Sequence, residues 1–296
     1  MKDTVYQVIT ERVMALLKQG VVPWQKPWAS SEAMPRNLVS RKAYRGVNVF
    51  LLHALGYESA FWLTFKQAQA LGGNVRKGEK ACPVVFWKWL DVEGEQDEQG
   101  KAKRVPLLRY YSVFNVAQCD GIELPALDGT RREHNPIADA ECIVAAMPKC
   151  PTIQHTGARA CYWPSFDRVD MPKAETFRTA QDYYSVLFHE LTHSTGHESR
   201  LNRKGVSGSE GEWSAFGSTP YAREELVAEM GAAFLCGHAG IVERTIENSA
   251  AYVSSWLERL SDDVRLVVTA AAQAQKAADF ILNVQHTEKS ESEVAQ

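Results

Sequence analysis

Apolar residues recur every three or four positions in several segments of the chain, and this spacing predicts amphipathic helices. The first helix is expected over residues 3 to 19, and Thr64 is expected to cap a short helix that ends at Gly72. Further helices are expected over residues 137 to 146, 220 to 238, 242 to 259 and 263 to 284. A continuous apolar segment from Tyr183 to Leu191 predicts one more helix, which is largely buried.

Apolar runs bounded by turn-forming residues predict strands elsewhere. Residues 83 to 90 and 106 to 116 are expected to pair, with an acidic, glycine-bearing loop over residues 91 to 100 between them. Shorter strands are expected over residues 152 to 160 and 161 to 164, and turn formers between 119 and 135 predict a linker. The predicted fold class is α+β with two domains, an α+β domain over residues 1–125 and a mainly helical domain over residues 136–285.

The composition of the chain is that of a soluble globular protein. Its 296 residues are 45% hydrophobic, and no apolar run approaches the roughly 20 residues needed to cross a membrane. The start, Met1-Lys2-Asp3, does not resemble a signal peptide, and the six cysteines contain no Cys-x-x-Cys pair. We therefore expect a cytoplasmic protein with reduced thiols and no membrane partner.

Charge is distributed unevenly between the two halves. Residues 1–90 contain 13 Lys and Arg against 5 Asp and Glu, whereas residues 91–296 contain 20 basic and 31 acidic residues. The basic half also holds five of the eight tryptophans. The two halves are therefore expected to have different partners.

The sequence His189-Glu190-Leu191-Thr192-His193 lies inside the predicted buried helix. Histidines four residues apart are about one helical turn apart, so both imidazoles can bind one zinc ion. Glu190 is then placed to act as the general base that takes a proton from a metal-bound water, whose hydroxide attacks a carbonyl. A surface helix with two unrelated histidines is less favoured, because it would be mostly polar.

A hydrolytic zinc site usually needs a third protein ligand. His197 is a poor candidate because Gly196 is expected to end or bend the helix before it. Glu229 is the preferred ligand, since it lies in an apolar segment where a carboxylate needs a cation or hydrogen bonds. Glu225 is the alternative ligand, or else it orients a histidine, and a structural ion pair at Glu229 also stays open.

Two further features of a hydrolytic site stay undecided. The donor that stabilises the oxyanion is one of several conceivable residues, namely Tyr183, Tyr184, Tyr221 and His197. Residues 160 to 164 fit either an edge strand that pairs with an extended peptide or a core strand.

The basic, aromatic half suggests binding of single-stranded nucleic acid, in which bases stack on aromatic faces along a positive groove. Burial of the tryptophans in a core is the competing interpretation. The candidate DNA-binding residues are Trp24, Lys26, Trp28, Arg36, Arg41, Lys42, Tyr44, Arg45, Lys80 and Lys88. No helix-turn-helix or zinc-finger pattern points to duplex DNA.

Both halves resemble one known family, the ArdC antirestriction proteins. The amino-terminal resemblance is carried by Pro23-Trp24-x-Lys26-Pro27-Trp28, Pro35-Arg36-Asn37, Tyr44-Arg45-Gly46-Val47-Asn48, Gly78-x-Lys80 and Val84-Val85-Phe86-Trp87-Lys88. The carboxy-terminal resemblance is carried by residues 188 to 197 and 224 to 229. The amino-terminal segments are also similar to the start of plasmid conjugative primases.

The resemblance implies a conjugative-plasmid protein that protects incoming DNA from host restriction. Its amino-terminal domain would bind single-stranded DNA, and its carboxy-terminal domain would be a zincin-like metallopeptidase that uses zinc or another divalent metal such as manganese. A protein of the host restriction machinery would be a possible substrate. The alternative is a DNA-binding protective protein whose metal site is structural or vestigial, since the DNA-binding half could shield DNA alone.

Overall fold

A computed structural model of the protein describes residues 2–25, 34–96, 102–124, 135–156, 158–203, 206, 219–241 and 250–284. The helices are α1 (Lys2–Lys18), α2 (Val47–Ala54), α3 (Phe65–Ala70), α4 (Pro136–Ala146), α5 (Ala180–Ser194), α6 (Thr219–Ala239), α7 (Ala250–Asp262) and α8 (Leu266–Ile281). The strands are β1 (Arg36–Asn37), β2 (Phe61–Leu63), β3 (Asn74–Val75), β4 (Cys82–Gln96), β5 (Ala102–Asn115), β6 (Cys119–Asp120), β7 (Thr152–Gln154), β8 (Cys161–Trp163) and β9 (Arg168–Asp170). The chain is α+β, and its carboxy-terminal part is mainly helical, as predicted.

The amino-terminal region is built around a four-stranded sheet in the order β1-β2-β5-β4. The predicted hairpin is confirmed, because β4 and β5 form an antiparallel ladder that begins at the Cys82–Val113 pair. The ladder continues past the predicted strand, through Asp91 opposite Arg104, to Gln96. Backbone hydrogen bonds hold such a two-stranded ribbon together even where polar side chains hide the alternating pattern.

The carboxy-terminal region contains a small sheet in the order β7-β9-β8, and its strands β8 and β9 lie against α5. The strand β8 pairs only with β9 among the described strands, so it is an edge strand. The helix α5 begins after Thr179, whose side chain accepts a hydrogen bond from the Asp182 backbone while the Asp182 carboxylate accepts one from the Thr179 N–H. This capping box stabilises the start of the helix that carries the two histidines.

The two regions share a hydrophobic core. One continuous cluster of buried residues contains α1 and α2 as well as α5, α6 and α8. Phe50 of α2 packs on Phe234 of α6 with ring centroids 4.7 Å apart, and Thr10 of α1 donates a hydrogen bond to the Val264 carbonyl. Buried apolar area is the main stabilising contribution to a fold, so each region helps to stabilise the other.

The predicted helices of the carboxy-terminal half correspond to α4, α5, α6, α7 and α8. The start predicted for α7 at residue 242 falls in residues 242–249, which lie outside the described residues, as does most of the predicted linker. None of the helices in the described parts of the chain has the length and apolarity needed to cross a lipid bilayer.

Candidate metal centre and nucleic-acid interface

The helix α5 brings His189 and His193 together. Their Nε2 atoms are 3.1 Å apart, and the two ring centroids are separated by 4.7 Å. Both imidazoles therefore present the same nitrogen to one point, as the spacing of one helical turn predicts. The two side chains are 25% and 10% exposed, so the pair lies near the surface but is mostly covered.

The helix α6 supplies a carboxylate to the same point. Glu225 lies with Oε2 3.5 Å from His189 Nε2 and with Oε1 3.7 Å from His193 Nε2. The ligand atoms of the three side chains all lie within 4.8 Å of one another. Two imidazole nitrogens and one carboxylate oxygen are a donor set that suits zinc and other divalent transition metals.

Close packing of α5 and α6 makes this approach possible. A Cβ atom added at Gly231 of α6 would lie 2.4 Å from Cγ2 of Thr192 on α5. Any other residue at position 231 would push the helices apart and separate Glu225 from the histidines.

Glu229, the preferred third ligand in the sequence prediction, has different neighbours. Its Oε2 accepts hydrogen bonds from Trp24 Nε1 at 2.9 Å and from the Tyr252 hydroxyl at 2.5 Å, and it is not part of the three-residue group. The prediction held that a carboxylate in this apolar segment needs a cation or hydrogen bonds, and here two neutral donors provide hydrogen bonds. The structure therefore brings Glu225 to the histidines rather than Glu229.

Glu224 contacts the other ring nitrogen of His193. Its Oε1 lies 3.2 Å from His193 Nδ1, and it also accepts hydrogen bonds from the buried guanidinium of Arg203. Burial alone would raise the pKa of Glu224, but the His193 hydrogen bond and the Arg203 charge hold that pKa below its usual value. A carboxylate at Nδ1 favours the tautomer that leaves Nε2 free to bind a metal.

The sequence analysis considered Glu225, and not Glu224, as the carboxylate that could orient a histidine. The structure gives the hydrogen bond to His193 Nδ1 to Glu224, with the Arg203 guanidinium on the same carboxylate. The sequence gives no indication that Arg203 belongs to the site. Its position 21 residues before Glu224 offers no periodic signal that the two side chains meet.

Glu190 is buried, with 8% of its surface exposed, and lies next to the small sheet. Its Oε2 accepts a hydrogen bond of 2.8 Å from the backbone N–H of Tyr162 on β8. The pKa of His189 reflects these neighbours: burial lowers it, but the Glu225 hydrogen bond and the charges of Glu190 and Glu225 together raise it above the usual value. The carboxylate next to the first histidine is thus ordered by the edge strand.

The four candidate oxyanion donors lie in different surroundings. Tyr221 forms a hydrogen bond with Glu225, and burial together with that bond raises the pKa of Tyr221 to about 12. Tyr183 bonds to His155, Tyr184 to Glu141, and His197 to Ser199. Among the four, Tyr221 is therefore the one hydrogen-bonded to a member of the three-residue group.

The candidate DNA-binding residues do not form one surface. Trp24 and Tyr44 are buried, with 1% and 4% exposed, and a buried ring offers no face on which a base can stack. Arg45 forms an ion pair with Asp279 on α8. Lys26 and Trp28 lie outside the described residues.

The remaining candidates face solvent to different degrees. Arg36 and Lys42 are half-buried, whereas three residues are exposed: Arg41, Lys80 and Lys88. Lys88 lies on the β4–β5 ribbon, on the same face as Phe86 and its directly paired residue Arg109, which is also exposed. Arg109 was missed from the sequence because its face depends on the register of the ladder.

Comparisons with known proteins give a family match in each of the two regions. Residues 3–114 match the family described as the N-terminal domain of anti-restriction factor ArdC, and residues 138–273 match the zincin-like metallopeptidase family. The metal-free crystal structure of the antirestriction ArdC protein from the R388 plasmid is 39% identical, with a TM-score of 0.70, over 95% of this chain and 99% of that chain. The Mn(II)-bound structure is 38% identical, with a TM-score of 0.70, over 94% and 97%.

Sequence relatives extend over nearly the whole chain as well. The uncharacterised protein y4eC of Sinorhizobium fredii (strain NBRC 101917 / NGR234) is 38% identical over 98% of this chain and 95% of its own length. The DNA primase TraC of Escherichia coli is 37% identical over 95% of this chain, which corresponds to 20% of the primase. With an ArdC-type amino-terminal domain, a zincin-like carboxy-terminal domain and relatives of this extent, the chain belongs to the ArdC antirestriction family.

Proposed function

We propose that the protein is a divalent-metal peptidase joined to a single-stranded-DNA-binding region, and that it protects incoming plasmid DNA from restriction. The observation that carries the proposal is the group of three ligand atoms from His189, His193 and Glu225 within 4.8 Å, with Glu190 one residue from the first ligand. A structural metal site would have no need of a general base at that position.

We assign His189, His193 and Glu225 as the metal ligands and zinc as the ion, with manganese as the alternative. The donor set suits either ion, and the related R388 protein has a Mn(II)-bound structure. When bound, such an ion would lower the pKa of a water molecule to near neutrality and would polarise a carbonyl group. Glu224 holds His193 in the tautomer that such binding requires.

The residues around the ligands have separate roles in the proposed reaction. Glu190 accepts the proton of the attacking water at Oε1, while the Tyr162 N–H holds its Oε2 and so orients the carboxylate. Tyr221 is assigned to donate a hydrogen bond to the developing oxyanion, because its hydroxyl lies beside Glu225. The raised pKa of Tyr221 keeps that hydroxyl protonated and able to donate at neutral pH.

For DNA binding we assign the exposed part of the β4–β5 ribbon that carries Lys88 and Arg109. These two residues supply positive charge there. Phe86, two residues from Lys88 and directly opposite Arg109, adds a partly exposed aromatic ring on the same face. A basic strand pair with an aromatic side chain is suited to the phosphates and bases of a single strand. Arg41 and Lys80 are further exposed cations of the same region.

A comparison of two classes of variant tests the proposal. Glu190→Gln should abolish cleavage of fluorescein-labelled casein in the metal-loaded protein and should also abolish protection when a plasmid is transferred into a restricting host. Lys88→Ala with Arg109→Ala should weaken binding of a labelled oligonucleotide and reduce protection. If Glu190→Gln protects plasmids as well as the wild type does, the protein acts as a DNA-binding shield and the peptidase proposal fails.

A further inference from the structure

An indole from the amino-terminal region lies inside the carboxy-terminal region. Trp24 belongs to a single 3-10 turn, Pro23–Gln25, and is 1% exposed. Its ring packs edge-on against Trp256 of α7 with a centroid distance of 5.8 Å. Helices of the other region therefore form one side of the buried environment of Trp24, and α1 and α2 contact the same turn.

The polar end of this indole has a specific partner. Trp24 Nε1 donates to Glu229 Oε2 at 2.9 Å, and the Tyr252 hydroxyl donates to the same oxygen at 2.5 Å. Burial raises the pKa of Glu229, while the hydrogen bonds from Tyr252 and Trp24 and the charge of His189 act against that rise. Loss of either hydrogen bond would leave the buried Glu229 carboxylate with fewer partners to offset the cost of its removal from water.

Glu229 is close enough to the metal centre to influence it. It follows Glu225 by four residues on α6, so both carboxylates lie on the same face of that helix. Glu229 lies one helical turn after Glu225. If Glu229 is held in place, the rotation of α6 about its axis is fixed, and Glu225 continues to project toward the histidines.

We propose that Trp24 is a positioning residue of the metal centre, and that it acts through Glu229 to hold Glu225 in place. The inference rests on the proposed metal site. It implies that residues 138–273, which match the metallopeptidase family, lack one side chain that a tight metal site requires. The missing side chain comes from the region that matches the ArdC N-terminal domain.

The test is metal affinity of the full chain, measured by competition with a coloured chelator for Zn²⁺ and, separately, for Mn²⁺. Trp24→Phe removes the N–H donor and should weaken binding about tenfold, the lower range for a residue that supports a metal ligand. Trp62→Phe is the matched control, because it makes the same change of side chain at a position that is 2% exposed and lies on β2, in the sheet of the amino-terminal region. That control should bind metal within about twofold of the wild type, whatever its thermal stability.

A double-mutant cycle separates action through Glu229 from general destabilisation. In the E229Q background, Trp24→Phe should change the dissociation constant less than about threefold, because the two changes share one contact. Should Trp24→Phe fail to fold, Tyr252→Phe removes the second donor by deleting a single oxygen and should also weaken binding. Unchanged affinity in the Trp24 variant, or an equal loss in both backgrounds, would overturn the inference. A wild type that binds no metal would instead overturn the proposed function, and this inference with it.

Discussion

The metal centre and the basic amino-terminal region differ in how their residues come together. In the metal centre, two ligands are four residues apart on one helix, and the third comes from a helix packed directly on it. In the basic region, residues close in sequence diverge: Trp24 and Tyr44 enter the core, Arg45 pairs with Asp279, and Arg41 remains exposed. Local periodicity therefore predicts that His189 and His193 lie together, whereas tertiary packing decides which residues of the basic region stay exposed.

The largest effect is expected at the histidine pair. His189→Ala removes a ligand and should weaken metal binding about a thousandfold, so that the purified variant loses stoichiometric metal in elemental analysis. His197→Ala is the control, because His197 bonds to Ser199 outside the three-residue group. Retention of one metal per chain in His189→Ala would exclude His189 as a metal ligand.

The second prediction distinguishes the roles of Glu225 and Glu229 on α6. Glu225→Gln should weaken metal binding about a hundredfold, whereas Glu229→Gln should cost about tenfold, because only the first is assigned as a ligand. Isothermal titration of the metal-free protein measures both constants. The reverse order would restore Glu229 as the third ligand.

The third effect concerns the buried charge network under the edge strand. Asp167 accepts hydrogen bonds from Arg200, whose side chain is fully buried, and from the Tyr162 hydroxyl of β8. Asp167→Asn should lower the free energy of unfolding by about 2 kcal/mol, since Arg200 would lose its charged partner. Asp263→Asn, which breaks a solvent-exposed ion pair with Arg223, should cost about 0.5 kcal/mol or less. Urea denaturation at neutral pH measures both.

The contribution of Asp167 also has a defined pH dependence. Burial alone would raise the pKa of Asp167, but the hydrogen bonds from Arg200 and Tyr162 lower it below the ordinary value of 3.8. A lowered folded-state pKa stabilises the protein above pH 3.8, and the stabilisation disappears as the pH falls through the folded-state value. The difference between wild type and Asp167→Asn should therefore shrink in acid, and a difference that grows there would contradict the assignment.

The smallest effect is expected on the ribbon face. Lys88→Ala and Arg109→Ala should each weaken binding of a labelled single strand about threefold and reduce the salt slope by about 0.7. Lys173→Ala, an exposed lysine of the other region, should change neither quantity. Fluorescence anisotropy at several salt concentrations provides the measurement, and equal binding by all three variants would exclude the ribbon as the contact surface.

The motif helix and the β4–β5 hairpin were predicted from the sequence because each contains a long apolar segment. The short strands β1, β2, β3, β6 and β9 were missed, because two or three residues cannot establish a period of two. The strands β7 and β8 are as short and were predicted only as parts of the segments 152 to 160 and 161 to 164. In the site, the spacing of His189 and His193 was sufficient to predict that their imidazoles lie together. The sequence did not decide between Glu225 and Glu229, since residues one turn apart share a helical face and only the packing of α6 distinguishes them.

The core shared by the two regions has a consequence for how genes of this family diversify. Recombination that joined only one half to a new partner would expose the apolar faces of α1 and α2, or those of α6 and α8, to water. Selection should therefore favour transfer of both halves as a single cassette. The primase TraC is consistent with such transfer, because one stretch amounting to a fifth of its length matches both halves together.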